Sequence, residues 1–263
     1  MTSYVLRALE RPGARGALLF ERNVMSYRRM WIVILSGFFE PLFYLLSLGY
    51  GLGAYVGDVV EGGVAVSYAA FVAPGLLAAS AMNGAFYDAT NIFWKLRYQK
   101  LYDAVLATPL GPKDVAVGET AWALFRGLVY AIGFFAVMAA LGLVESWWAL
   151  LALPATLFVG FAFAGAGIAV VTYMRSWQDF DALNLVMLPM FLFSATFFPL
   201  AVYPDWLQVV VQATPLYHAV SLVRGLTTGA VGAAQLADVA YLSVLGIAGT
   251  WLAARRIEKL LLT

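Results

Sequence analysis

Few residues in this chain have the type and spacing to do chemistry. The single histidine, His218, excludes a histidine metal cluster, and there is no cysteine to act as nucleophile or thiolate ligand. None of the four lysines (Lys95, Lys100, Lys113, Lys259) follows a glycine, so no G-x-x-x-x-G-K-[ST] loop can cradle a nucleotide phosphate. A G-x-S-x-G elbow is also absent. The remaining ionisable residues draw notice through their surroundings. Glu40-Pro41 lies inside a long apolar run. A charge at such a depth costs about 3 kcal/mol on insertion scales and normally faces protein or water. Two readings follow: a polar group, with Phe39 beside it, lining a translocation path or subunit seam, or an interhelical hydrogen bond. One isolated carboxylate is a weak basis for a proton relay. Pro41 frees a backbone carbonyl and permits a kink. Glu119 and Arg126 are seven residues apart, hence nearly on one helical face, and read as structural polar groups. His218 and Arg224 are six apart, on different faces. They read as a gate or headgroup contact, or as a hydrogen-bonded histidine and a snorkelling arginine.

The elements that must position these residues are apolar. The chain of 263 residues is 63% hydrophobic and 12% charged, where a soluble domain carries about 25% charged residues. Its net charge of +1 gives no bulk pull toward nucleic acid. Residues 1–30 are polar and basic, and no cleavable signal peptide is expected. From Ala14 onward, Leu18, Leu19, Val24 and Met25 make an apolar face beside Arg15, Arg22, Arg28 and Arg29, the pattern of a helix lying on a membrane surface. Six spans are expected, at Trp31–Gly53, Ser67–Ile92, Val115–Val144, Ala149–Tyr173, Ala182–Val202 and Ala233–Ala254, each near the roughly 20 residues a crossing needs. Ala54–Val66 reads as a short acidic loop. Residues 203–232 hold two apolar pieces, Trp206–Ala213 and Leu216–Leu226, split by Thr214-Pro215. Each is too short to cross, and a re-entrant helical hairpin satisfies their backbone groups. Glycines 49, 51, 53, 160, 165 and 167 permit close helix approach.

A basic island, Trp94–Pro112, separates the second and third spans. Lys95, Arg97 and Lys100 precede Leu101, Val105 and Leu106 at helical spacing. Of the 16 Lys and Arg residues, all but Arg126 and Arg224 fall in the N-terminal segment, this island with Lys113, the Met174–Asp181 loop or the C-terminus. The positive-inside rule puts those segments, and both termini, in the cytoplasm. An even number of spans agrees.

Specific blocks carry a resemblance. Glu40-Pro-Leu-Phe-Tyr-Leu-Leu, Gly49-Tyr-Gly-Leu-Gly, Tyr102-Asp-Ala-Val-Leu-Ala-Thr-Pro-Leu and Pro215-Leu-Tyr-His-Ala-Val resemble the ABC-2 membrane subunits of ABC exporters, in the branch of nodulation protein J and the daunorubicin-type permeases. The resemblance covers essentially the whole chain. It implies an all-α integral membrane fold: an interfacial helix over 1–30, then a six-span domain over 31–263. That domain would hold a coupling helix at about 95–110 and an extracellular re-entrant hairpin at about 203–232. It implies two copies of this chain in the inner membrane with two copies of a separate ATPase subunit that carries ATP and Mg, leaving no cofactor here. Coupling would run through Tyr102, Asp103, Val105, Leu106, Thr108, Pro109 and Leu110. Glu40, Phe39, Phe197, Phe198 and His218 would belong to the path or gate for an amphiphilic substrate: a lipid-linked saccharide, a lipo-oligosaccharide or a hydrophobic drug. An integral-membrane lipid enzyme would need its polar residues clustered at one depth, and Glu40, Asp88, Glu119 and His218 are scattered. A secondary transporter often shows matched broken helices in two repeats, and one interrupted segment is visible.

Overall fold

A computed structural model of the chain describes residues 15–28, 39–61, 64–144 and 146–261. The first part of the expected interfacial segment, 1–14, and the first part of the expected first span, 31–38, lie outside the described residues. The chain is mostly helical, and among the described residues four helices are long and apolar enough to cross a bilayer: Tyr68–Leu96, Pro112–Ala140, Trp147–Val171 and Ala233–Leu260. They match the expected second, third, fourth and last spans.

In chain order, α1 is Gly16–Arg28, and α2 occupies residues 39–56 with a π-helical stretch at Leu45–Leu52. Helix α3 (Tyr68–Arg97) begins behind Ser67, whose hydroxyl accepts the Ala70 N–H. A short α4 (Leu101–Leu106) leads to α5 (Pro112–Ala140), which opens with proline at its first position, where a missing N–H costs nothing. A 3-10 turn, Trp147–Leu151, runs into α6 (Ala152–Val171). Then come α7 (Asp179–Leu192), α8 (Asp205–Gln212), α9 (Pro215–Thr228) and α10 (Ala233–Leu261). Helix α3 is the hub. Its most apolar stretch is 94% buried, against 22% for the peripheral α10. Alanines 69, 70, 73, 78, 81 and 85 keep its surface low, so α5, α6 and α9 pack closely around it. The glycine signal of α6 is used against α10: a Cβ on Gly165 would stand 2.8 Å from the Gly246 carbonyl oxygen, and one on Gly249 2.5 Å from the Ala166 nitrogen.

Two details are corrected. The chain is mostly helical, but the expected loop Ala54–Val66 carries a strand pair: Asp58–Glu61 (β1) pairs antiparallel with Val64–Ser67 (β2), Val59 opposite Val66. The β-branched valines of this stretch suit a pleated pair, and its acidic residues masked that signal. The second correction concerns Ala182–Val202. Helix α7 starts earlier, at Asp179, and stops at Leu192. Fourteen residues rise about 21 Å, short of a hydrocarbon core of about 30 Å. Pro189 lies inside α7 and Pro199 follows its end. Between them the chain leaves the helix with Ala195 at φ 57, in the left-handed region. The expected division at Thr214-Pro215 holds, since Thr214 caps α9 by accepting the Tyr217 N–H.

Candidate functional site

The basic end of the bundle gathers α1, the end of α3, α4 and the start of α5 around one carboxylate. Lys95 and the Arg97 backbone, expected within the coupling segment 95–110, belong to α3. The chain then turns through Lys100, whose φ of 47 is left-handed, and α4 follows. Glu119, on the second turn of α5, is 3% exposed. The Lys95 Nζ donates to its two oxygens at 2.7 and 2.9 Å, the Tyr102 hydroxyl donates to Oε1 at 3.0 Å, and the Asn23 amide donates to Oε2 at 3.2 Å. Four elements therefore meet at one buried anion, whose charge is met by the Lys95 ammonium and whose oxygens are all engaged. Burial first, then the Glu119 charge and hydrogen bond, push the Tyr102 phenol well above its ordinary value of 10.0. It therefore stays a donor at any physiological pH.

Further ties hold α1 to the same place. The buried Asp114 accepts the N–H of Gly111 at 2.9 Å and that of Arg15 at 3.2 Å, while the Arg15 side chain donates to the Pro109 carbonyl. Gly16 and Gly118 let the two backbones touch: a Cβ on Gly118 would come within 2.6 Å of the Gly16 oxygen. Tyr27 packs on Trp122 at 4.9 Å between ring centres, and the Arg126 guanidinium lies over Tyr27 and Tyr130 and donates to the Tyr130 hydroxyl. Gly16, Leu19, Asn23 and Tyr27 thus form the inward stripe of α1, while Leu18, Val24 and Met25 are exposed.

Of the residues expected to contact a partner, Tyr102 and Val105 point inward, packed with Ile92, Phe93 and Val115, and Leu110 is half-buried against them. Thr108 and Pro109 are exposed at the tip. The side chains of Asp103 and Leu106 lie outside the described residues. The apolar spacing of α4 therefore seats the helix on its own bundle, and Ala107, Thr108 and Pro109 form the outward surface.

A second set of expected residues lies around α2. Glu40 is exposed at the mouth of a cleft of ≈ 460 Å³ between α2, α3 and α7, together with Tyr44, Asn83, Asp181 and Asn184. Phe39 stacks on Phe43 at the exposed face of α2. Phe197 is buried and packs edge-on to Phe191 at 5.2 Å and beside Tyr44 at 6.2 Å, whereas Phe198 is 46% exposed. His218 is distant from this cleft in role. Its Nδ1 lies 2.7 Å from Asp238 of α10, and its ring stacks on Tyr241 at 4.0 Å. Arg224 does not snorkel. It is 6% exposed, donates to the carbonyls of Phe71, Ala195 and Thr196, and covers the Phe71 ring at 4.0 Å. It supplies donors to the backbone freed where α7 ends.

The model of the ABC-2 type transporter family matches residues 16–227, from α1 to the end of α9. This chain belongs to that family. It is 36% identical over 215 residues to nodulation protein J of Rhizobium leguminosarum bv. trifolii, covering 80% of each chain. It is 33% identical over 233 residues to nodulation protein J of Rhizobium meliloti, covering 87% of each. Similarity extends to the inner membrane transport permease YadH of Escherichia coli, at 22% identity over 213 residues, 78% of this chain and 80% of that one. The protein is thus an ABC-2 membrane component, a transport protein of the multi-pass class. Within this ABC-2 chain, sequence reasoning did not find Lys95, Asn23, Asp114 and Arg15 as the partners that organise the basic end. A signal existed for Lys95: a carboxylate near the start of a span demands a cation, and the preceding span ends in one.

Proposed function

We propose that this chain is the membrane-spanning permease subunit of an ATP-driven exporter, with ATP and Mg held on a separate subunit. The observation that carries the reading is the seating of α4. A helix of six residues cannot hold its shape unaided. Here it is bound through Tyr102 and Glu119 to three other elements, and it presents the exposed tip Ala107–Pro109. A partner that pushes on this tip moves α1, α3 and α5 as one body, the usual logic of domain-scale switching. In this reading Thr108, Pro109 and Leu110 meet the ATPase with Asp103 and Leu106, while Tyr102 and Val105 transmit the push. The basic end is cytoplasmic, in keeping with its Lys and Arg content, and the membrane is the inner one.

Two copies of the chain pair with two ATPase subunits. The exposed apolar residues of α2 and α7, among them Phe43, Leu185, Val186 and Leu188, supply the seam, and the Glu40 cleft opens between the copies. Helix α2 belongs to the first span, and α8 and α9 form the re-entrant hairpin on the outer side. The cargo is amphiphilic and moves outward: a lipid-linked saccharide, a lipo-oligosaccharide or a hydrophobic drug. The cleft supports this, since it joins an apolar wall to the carboxylates of Glu40 and Asp181 and the amides of Asn83 and Asn184. The test is co-purification with the ATPase. Thr108→Trp, at the exposed tip, is expected to abolish both ATPase capture and transport while leaving the permease folded. Retention of both by this variant would refute the docking assignment.

A further inference from the structure

A pocket of ≈ 220 Å³ lies beside the Glu119 node, between α1 and the last turns of α3. Its walls carry Arg22, Asn23 and Tyr27 from α1 and Asn91, Trp94 and Lys95 from α3. The polar groups here are donors or neutral. Lys95 is matched by Glu119, but the buried Nη1 of Arg22 has no hydrogen-bond partner among the described residues. A guanidinium nitrogen held out of water without an acceptor costs about 1–3 kcal/mol, and an anion in the pocket would supply that acceptor. Trp94, on the pocket wall, is exposed, stacks on Tyr98 and meets Trp177 edge-on. Aromatic residues of this kind mark the membrane–water boundary. Apolar groups outside, a cation and amides inside, at headgroup level, fit one ligand chemistry.

We infer that this pocket binds the phosphate group of a lipid, with Arg22 as its principal donor and an acyl chain lying against the exposed Trp94. Planar guanidinium groups recognise phosphate oxygens through paired, charge-assisted bonds. The bound phosphate supplies the acceptor that Arg22 lacks, and it ties α1 to α3 beside the node that seats α4. The lipid is either an anionic phospholipid of the bilayer or a polyprenyl pyrophosphate of the type that carries saccharides.

Native mass spectrometry of the full-length, delipidated chain separates these sources. Dioleoylphosphatidylglycerol, polyprenyl pyrophosphate and dioleoylglycerol, which lacks phosphate, are titrated in parallel. The wild-type chain is expected to retain one phosphate-bearing lipid and no dioleoylglycerol, and whichever phosphate lipid binds more tightly names the source. Arg22→Gln is expected to weaken that binding about tenfold, the loss of one charge-assisted contact, while Arg22→Lys keeps most of it. Ser26→Asp, at an exposed position on the pocket wall, is expected to weaken it similarly by repulsion. This variant decides the matter if Arg22→Gln does not fold. Retention of dioleoylglycerol equal to that of the phosphate lipids would overturn the assignment, as would undiminished phosphate-lipid binding by the folded variants. Neither result bears on whether α4 docks an ATPase, because no partner or transport is involved.

Discussion

At the scale of single residues, Glu119 decides the most. Glu119→Gln would leave Lys95, 12% exposed, without its counter-charge. Breaking a buried pair from one side costs about 3–5 kcal/mol, so a large fall in thermal stability in detergent is expected. The double variant Glu119→Gln with Lys95→Met should recover most of it, because no uncompensated charge remains. Failure of the double variant to recover would show that the pair is not the source of the loss. Tyr102→Phe removes one hydrogen bond and should cost about 1 kcal/mol at neutral pH. The sign of its pH effect follows from the raised phenol. The folded state holds the Tyr102 proton above pH 10.0, where the unfolded chain releases it. That contribution to stability is complete below pH 10.0 and is lost as pH rises further toward the folded-state value. Tyr102→Phe should therefore flatten the alkaline arm of the stability profile, and an unchanged arm would contradict the assigned environment. Glu119 and Arg126 were legible in the sequence as structural polar groups, and Tyr102 only as a coupling residue. Which partners they take was not, because Asn23, Lys95, Tyr102 and Glu119 come from four elements and meet only through the tertiary fold.

At the scale of elements, periodicity and composition located the long helices, since α3, α5, α6 and α10 are apolar over more than the length of a crossing. They failed where local chemistry competes with hydropathy. The apolar run through Phe193 and Phe197 reads as a continuous span, yet the break after Leu192 is held by Arg224, a residue 29 positions beyond Ala195 and invisible to any local window. Ala195 sits at φ 57 in that break. Ala195→Gly should remove a left-handed strain of about 1 kcal/mol and raise or preserve the melting temperature, whereas Arg224→Ala should lower it strongly. A destabilised glycine variant would contradict the φ assignment. Helix α1 shows the same limit. Its apolar residues suggested a membrane-facing stripe, but its inward face is built from a glycine, a leucine, an asparagine and a tyrosine. Gly118→Leu should force α1 off α5, because its Cβ has no room at 2.6 Å from the Gly16 oxygen. A lower melting temperature and new protease sensitivity near Arg22 would report it, and an unchanged pattern would refute the packing.

At the scale of the whole molecule, the chain is a helical bundle whose two ends differ. The opposite end carries the β1–β2 hairpin, α8 and α9. The basic end carries a rigid collar of α1, α4 and the flanks of α3 and α5, locked by Glu119 and Asp114. This asymmetry suits a device driven from one side. The absence of cysteine makes the central claim directly measurable, because a single introduced thiol meets no background. Under the proposed docking, Thr108→Cys, co-expressed in membranes with the proposed ATPase subunit carrying single surface cysteines, should form an intersubunit disulfide under mild oxidation. It should also react with an impermeant thiol reagent only from the cytoplasmic side. Labelling of the Thr108→Cys variant from the outside of intact cells, or the lack of any cross-link to the ATPase while transport persists, would contradict the account.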